Sequence, residues 1–370
     1  MKNNKFTNSL RSLLDAVFPS LLSIVVGLLI GGLILLLANP ANAGIGFWNL
    51  IKGPIGTNPI RGLGNILYYA TPIMLTGLSV AFAFKTGLFN IGASGQYLMG
   101  GFASLVFGVK ATFIPVEYRW IFAILAAFLA GAIMAGITGV LKAVFNVNEV
   151  ISSIMFNYIS VYTVVYLIKE WNLYNPLRNE AITIPTKIPM LGLDKIFPGS
   201  FVQGGAVVAL LAAVVIYVII EKTTFGYELK AVGYNRDAAK YAGINEKRSI
   251  ILSMFIAGGL AGMAGAVNFL VGSNRHIALE KTVPLEGFNG IPVALLANSH
   301  PIGVIFSSLF IGYLRLNAQA MQTYGFVPEI IDIVIAVILY SSALTVLFRS
   351  ISTKYLSRRK QKKDIKEEVA

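Results

Sequence analysis

Cysteine is absent from the 370 residues and histidine occurs only twice. A disulfide framework, a thiolate metal site and a thiol nucleophile are therefore excluded, and a multi-histidine metal centre has too few ligands. Charge is scarce as well. Only 13% of residues are charged, against about 25% in a soluble domain. No GxxxxGK[ST], GxSxG or HExxH pattern occurs, so the chain has no phosphate-cradling P-loop and no recognisable hydrolase or zinc motif. Catalysis by this chain is not expected, and His300 reads as a turn residue. What is abundant is apolar: 56% of residues are hydrophobic and the mean hydropathy is +0.71. A soluble protein of this length needs a charged surface. A soluble enzyme and a disordered chain are thus ruled out, and an all-α, polytopic membrane helical bundle is predicted.

A membrane helix needs about 20 apolar residues. Runs of that kind cover 16–38, 62–84, 88–108, 120–141, 150–168, 202–220, 250–270 and 327–348. A further apolar stretch, 288–314, is broken by Asn298, Ser299, His300 and Pro301 and reads as a short limb followed by a fuller helix. Basic residues cluster at Lys2, Lys5 and Arg11, at six positions in 222–248, and at eight positions in 349–366. The positive-inside rule places all three segments, and so both termini, in the cytoplasm. Parity between the second and third clusters then requires 288–314 to count twice, giving about ten crossings. The chain is accordingly predicted as a transmembrane domain over 1–348, with a cytoplasmic loop at 221–248, and a basic tail at 349–370 lying near anionic lipid. Lys2, Lys5 and Arg11 before an apolar run look like a secretory signal. The run is longer than the 7–15 residues of a signal core, and an uncleaved first span is expected. The outer loops are 39–61 and 169–201, the latter holding Trp171, Tyr174 and four prolines. It is either a tethered connection or a docking site.

No predicted span carries a carboxylate near its middle; Asp15, Glu149 and Asp332 sit toward span ends. Ion-coupled transport ordinarily needs such groups. The polar content of the membrane region is amide and hydroxyl. GLFNIGASGQ, at 87–96, holds three glycines with Asn90, Ser94 and Gln96, and GFNGIPVALL, at 287–296, holds Asn289, two glycines and Pro292. Unwound backbone at membrane depth is tolerated only where protein buries it or where it lines a cavity. Amides can bond a neutral polar solute as donor and as acceptor, so these segments are candidates to line a solute path. Close helix packing through small residues is the alternative. Asn157 and Tyr158 are weaker candidates. The two segments resemble each other and follow spans of opposite direction, as in an inverted repeat of spans two to five and seven to ten.

The loop 221–248 is predicted to hold two short helices. The first, over 226–232, is closed by Gly233; the second, over 236–242, is capped by Asn235 and ended by Gly243; Asn245 caps the following span. Its charges of both signs favour a protein partner over a lipid surface.

Three stretches together, LTGLSVAFAFKTGLFNIGASGQ at 75–96, GYELKAVGYNRDAAKYAGI at 226–244 and GFNGIPVALLANSHPIGVI at 287–305, resemble permease subunits of bacterial nucleoside ABC importers, within the wider group of ribose and branched-chain amino-acid permeases. The resemblance implies a multi-pass protein of the bacterial plasma membrane that translocates nucleosides by alternating access. It also implies three partners: a second permease, usually a different chain; a cytoplasmic ATPase dimer, which would bind ATP and Mg, leaving no cofactor in this chain; and an extracytoplasmic binding lipoprotein. Nucleic acid is not among them. Gly233, Asn235, Ala238, Ala239, Tyr241, Ala242 and Gly243, with Arg236 among them, match the segment that docks on the ATPase. Ser94 stands where family members often carry an acid. The residues by themselves leave a sugar, a branched-chain amino acid and a nucleoside open as solutes, and leave an ion-coupled transporter or a non-transporting scaffold as rival readings.

Overall fold

The computed structural model describes residues 25–53, 58–272 and 275–343. The amino-terminal basic residues, Asp15 and the tail 349–370 lie outside them. The described chain is helical: α1 (Val25–Ala38), α2 (Ala43–Lys52), α3 (Pro59–Lys85), α4 (Ala93–Lys110), α5 (Val116–Phe145), α6 (Glu149–Glu170), α7 (Leu193–Ile196), α8 (Gly205–Lys222), α9 (Thr224–Tyr234), α10 (Arg236–Tyr241), α11 (Glu246–Phe269), α12 (Gly290–Leu296), α13 (Pro301–Gln322) and α14 (Pro328–Ala343). Among the described residues six helices, α3, α5, α6, α8, α11 and α13, are long and apolar enough to cross a membrane. Asparagines start many of them: Asn58 Oδ1 accepts from the Arg61 amide, Asn148 from Val150 and Ile151, and Asn245 from Arg248. Each satisfies an amide that the first helical turn leaves unpaired.

Two compact units divide the chain, Met1–Gly53 with Asn317–Ala370, and Pro54–Leu316. In the described part of the first, Gly27 lies against Ile338, Gly46 against Phe326, and Asn317 Nδ2 donates to the Leu50 carbonyl at 3.2 Å.

The second unit is built around α3 and α11. Small residues let its helices approach closely, as they must where no hydrophobic force separates helix from lipid. A Cβ on Gly262 would stand 2.1 Å from the Ala127 carbonyl of α5, and one on Gly265 would stand 2.0 Å from the Tyr97 carbonyl of α4. The packing crosses between the earlier and the later helices of the unit. On α11, Gly262 meets Gly100 of α4 and Gly258 meets Gly131 of α5; on α3, Gly77 meets Val293 of α12, and Ile66 and Ala70 meet Gly312 of α13.

The predicted break at Asn298 to Pro301 is present. Asn298 and Ser299 both take positive φ, 50° and 55°. The limb before it is shorter than a crossing: seven residues of α12, roughly 10 Å at the rise of an α-helix. The chain still changes ends here. α11 ends away from α9 and α10, whereas His300 lies beside Tyr217, near the α9 end of α8, with ring centroids 5.8 Å apart. It makes the change as loop plus half-helix.

The proline-bearing loop after α6 is pinned. Its hairpin, β1 (Tyr174–Asn175) against β2 (Glu180–Ala181), bridges to Ala278 in the loop after α11, and Ile188 N donates to the Leu270 carbonyl at 3.0 Å.

Replacing Gly262 by leucine is expected to destabilise the purified chain by about 1–3 kcal/mol or more through overpacking. Gly44→Ala, where nothing lies within 4 Å of an added Cβ, is expected to stay within about 0.5 kcal/mol. Thermal unfolding in detergent separates the two.

Candidate solute path and docking surface

The chain leaves α3 through Gly87, whose φ of 70° suits glycine, and does not become helical again until Ala93. The residues in between must satisfy their polar groups without water. Asn157 of α6 does much of this, donating from Nδ2 to the Ile91 carbonyl at 3.0 Å and accepting the Gly95 amide on Oδ1 at 2.8 Å. Asn90 and Gln96 face each other: Asn90 Nδ2 donates to Gln96 Oε1 at 2.8 Å, and Gln96 Nε2 donates back to Asn90 Oδ1 at 2.9 Å. Asn90 Nδ2 also reaches Ser79 Oγ at 3.0 Å. Thr86 donates to Ser253 Oγ of α11 at 2.7 Å.

Of the five candidate path residues, then, Asn90, Gln96 and Asn157 are buried and spend their amides on holding the interruption. Ser94 is buried without a hydrogen-bond partner among the described residues, and Gly287 lies against it. Asn289 is half-buried at the start of α12 and accepts from Arg315 of α13 at 3.2 Å. The structure brings the first four together and leaves Asn289 with Arg315. That arginine, inside an apolar helix, was readable as a charge within a span, and an inventory of carboxylates passes over it. Tyr158 is half-exposed on α6, in line with Tyr162 and Tyr166.

A narrow cleft lies between α3, α8 and α11, toward the ends of α8 and α11 remote from α9. Arg275 spans it, its guanidinium 4.5 Å from the Tyr68 ring centroid and donating to Asn268 Oδ1. Gln203 donates from Nε2 to the Val271 carbonyl, while its Oε1 is buried without a partner. The Tyr97 hydroxyl is buried near Asn268 but outside hydrogen-bond geometry. No sequence motif joins these residues; only the fold does.

At the opposite end sit α9 and α10. Thr223 Oγ1 accepts from the Gly226 amide at 3.1 Å, and Asn235 Oδ1 accepts from the Ala238 amide at 2.9 Å. Gly243 ends the pair with φ of 84°. The predicted helix pair is there, with one correction: Gly233 falls inside the last turn of α9 rather than after it. Its lack of a side chain serves a close approach instead, since a Cβ would stand 2.4 Å from the Lys85 carbonyl and 3.0 Å from the Gly87 amide. Ala239 also differs from its neighbours by pointing inward. It packs in one cluster with Ala83, Leu88, Val232, Ile250 and Met254, which seats the pair on the ends of α3 and α11. Outward stand Tyr241 and Tyr234, 94% and 91% exposed. Asn235, Ala238 and Ala242 line a groove between the two helices, and Arg236 is half-buried with its guanidinium 3.9 Å from Glu246.

A helical membrane protein with a half-helix, an amide-locked break and an exposed, well-seated helix pair is a membrane transport subunit in its architecture. Comparison with known proteins gives the family. The model of the branched-chain amino acid transport system / permease component family matches residues 62–343, and the chain belongs to that family. It is 38% identical over 344 residues to the guanosine ABC transporter permease protein NupP of Bacillus subtilis, covering 92% of this chain and 97% of the relative. It is 36% identical over 335 residues to the nucleoside ABC transporter permease protein NupB of Lactococcus lactis, covering 89% and 91%. The glucose ABC transporter permease protein TsgB13 of Haloferax volcanii is 31% identical over 333 residues, covering 86% and 84%.

Asn90→Ala and Gln96→Ala are each expected to cost about 1–3 kcal/mol, because each strands the other's buried amide. The double variant should cost clearly less than the sum. Full additivity in thermal unfolding would remove the pairing as a structural lock.

Proposed function

We propose that this chain is the membrane-spanning permease subunit of an ATP-driven ABC importer that moves nucleosides into a bacterial cell by alternating access. The observation that carries the reading is similarity over nearly the whole length to two permeases named for guanosine and nucleosides. A sugar is the second reading, favoured by the glucose permease among the relatives.

In this reading the chain crosses the plasma membrane about ten times, with both termini and the α9–α10 pair on the cytoplasmic side. ATP and Mg are bound by a separate ATPase that docks on the pair, and a binding lipoprotein delivers solute from outside. The outward tyrosines, the groove at Asn235, Ala238 and Ala242, and Gly243 form the docking surface. Ala239 and Gly233 transmit rather than touch. The contact of Gly233 with Lys85 and Gly87 supports this division, because it links the docking pair to the start of the membrane break. Closure of the ATPase would press α9 on that point, and the halves of the repeat would rock about it. The path then runs beside the break, where Ser94 and Asn289 are the candidate polar contacts, and Asn90, Gln96 and Asn157 shape it by holding the backbone.

A second permease, a different chain, completes the membrane part. The stripe Tyr158, Tyr162 and Tyr166 on α6, each more than half exposed, supports a protein neighbour. Tyrosine in lipid is favoured at the two interfaces rather than along the whole depth of a helix.

Tyr234→Asp with Tyr241→Asp is expected to lower ATPase co-purification at least tenfold. Gly233→Val should instead retain the ATPase and lose nucleoside uptake in proteoliposomes, by separating the two backbones. Undiminished association of the first variant would remove the docking assignment, and wild-type uptake by the second would remove the transmission point. Reconstituted without an ATPase, the chain should accumulate no nucleoside; accumulation there would overturn the reading.

A further inference from the structure

In the cleft between α3, α8 and α11 a flat face, a cation and an unpaired buried acceptor meet. The face is the ring of Tyr68, with Tyr69 beside it, and Arg275 lies over both, 4.5 Å and 5.5 Å from their centroids. The acceptor is Gln203 Oε1. A buried polar atom without a partner calls for an explanation, and a donor arriving with a ligand is one. The neighbouring acceptor, Asn268 Oδ1, is engaged by the guanidinium of Arg275.

That guanidinium is itself informative. It is a planar N–C–N group that stacks on a tyrosine while its Nη1, one of several N–H donors along its edge, donates to an amide oxygen. A guanine ring offers the same arrangement: an aromatic plane, with N1–H and the 2-amino group side by side on one edge. Cation–π contact with a tyrosine and base stacking on one are of comparable strength. Arginine and base therefore compete for the same face of Tyr68. The cleft is narrow as it stands, so entry of a ring requires Arg275 to leave.

We propose that this cleft is a subsite for the base of the solute, with Tyr68 as its stacking face, Asn268 and Gln203 as acceptors for a guanine-type donor edge, and Arg275 as the internal occupant that the base displaces. The proposal rests on the nucleoside reading above and deepens it. It assigns no role to Arg315, which bonds Asn289 on the other side of α3.

Equilibrium dialysis on the permease–ATPase complex, without the binding lipoprotein so that its selectivity does not enter, tests the assignment. Guanosine, inosine, uridine and ribose are the probes; inosine lacks the 2-amino donor. The wild-type complex is expected to bind guanosine at least fivefold more tightly than inosine, and ribose not measurably. Asn268→Leu should bring the guanosine-to-inosine ratio close to one. Tyr68→Leu should weaken both nucleosides at least fivefold, and Tyr68→Phe should restore them. Arg275→Ala, in a loop outside the helices, should tighten guanosine at least threefold, because the competitor for Tyr68 is gone. It serves as the deciding measurement if the helix variants fail to assemble. An unchanged or weakened guanosine affinity in Arg275→Ala overturns the subsite, as does a wild-type ratio in Asn268→Leu. If the wild-type complex binds no nucleoside while the full assembly, lipoprotein included, imports guanosine, the subsite fails and the nucleoside reading stands. If the full assembly imports ribose but no nucleoside, both fail.

Discussion

In hydrocarbon a backbone amide has no solvent to fall back on, and the whole of the larger unit is arranged around that constraint. Continuous helices meet it internally. The chain nevertheless interrupts itself between α3 and α4, and Asn157 of α6 takes up two of the backbone groups there, the Ile91 carbonyl and the Gly95 amide, while Ser79 of α3 and Ser253 of α11 accept from the side chains of Asn90 and Thr86. Asn90 and Gln96 close the ring by pairing with each other. Of the amides in this region, Asn157 holds the backbone of the break, and Asn90 and Gln96 satisfy one another beside it.

A break held in this way gives a helix bundle a point where it can be worked. Its beginning, Gly87, lies directly under Gly233 of α9, two glycines whose missing side chains let backbone approach backbone. Beyond the break, Ser94 lies under Gly287, at the entry to the half-helix α12. In the proposed mechanism a displacement of α9 would reach both interruptions through these two contacts. The cluster around Ala239 and Met254 gives that route stiffness, because close-packed side chains transmit strain rather than absorb it.

Much of this was legible in one dimension. The long apolar runs marked α3, α5, α6, α8, α11 and α13, and Asn298 to Pro301 marked the turn between α12 and α13. Asn235, Gly243 and Asn245 announced their helix ends, since capping depends on residues three or four apart. Gly233 was misplaced by the same reasoning. A glycine near a helix end reads as a terminator, and nothing local reveals that another backbone passes 2.4 Å from where its Cβ would be. Ala239 looked like surface for a comparable reason: in a short helix of mixed charge the inward face is set by what lies beneath, here α3 and α11. Arg275 and Tyr68 share no motif at all, being 207 residues apart in sequence.

The sequence by itself determined that this is a membrane bundle, where its long apolar helices run and several of their caps fall, and that its predicted spans are furnished with amides rather than carboxylates. Those properties follow from run length, caps and composition, which act over a few neighbouring residues. Only the tertiary structure decided which amide answers which, that Asn90 and Gln96 turn toward each other, that α9 rests on Gly87, and that an arginine lies on Tyr68. Each of these is a contact between distant segments. Its geometry is fixed by how closely glycine-bearing helices can approach, and that distance is a property of the packed pair.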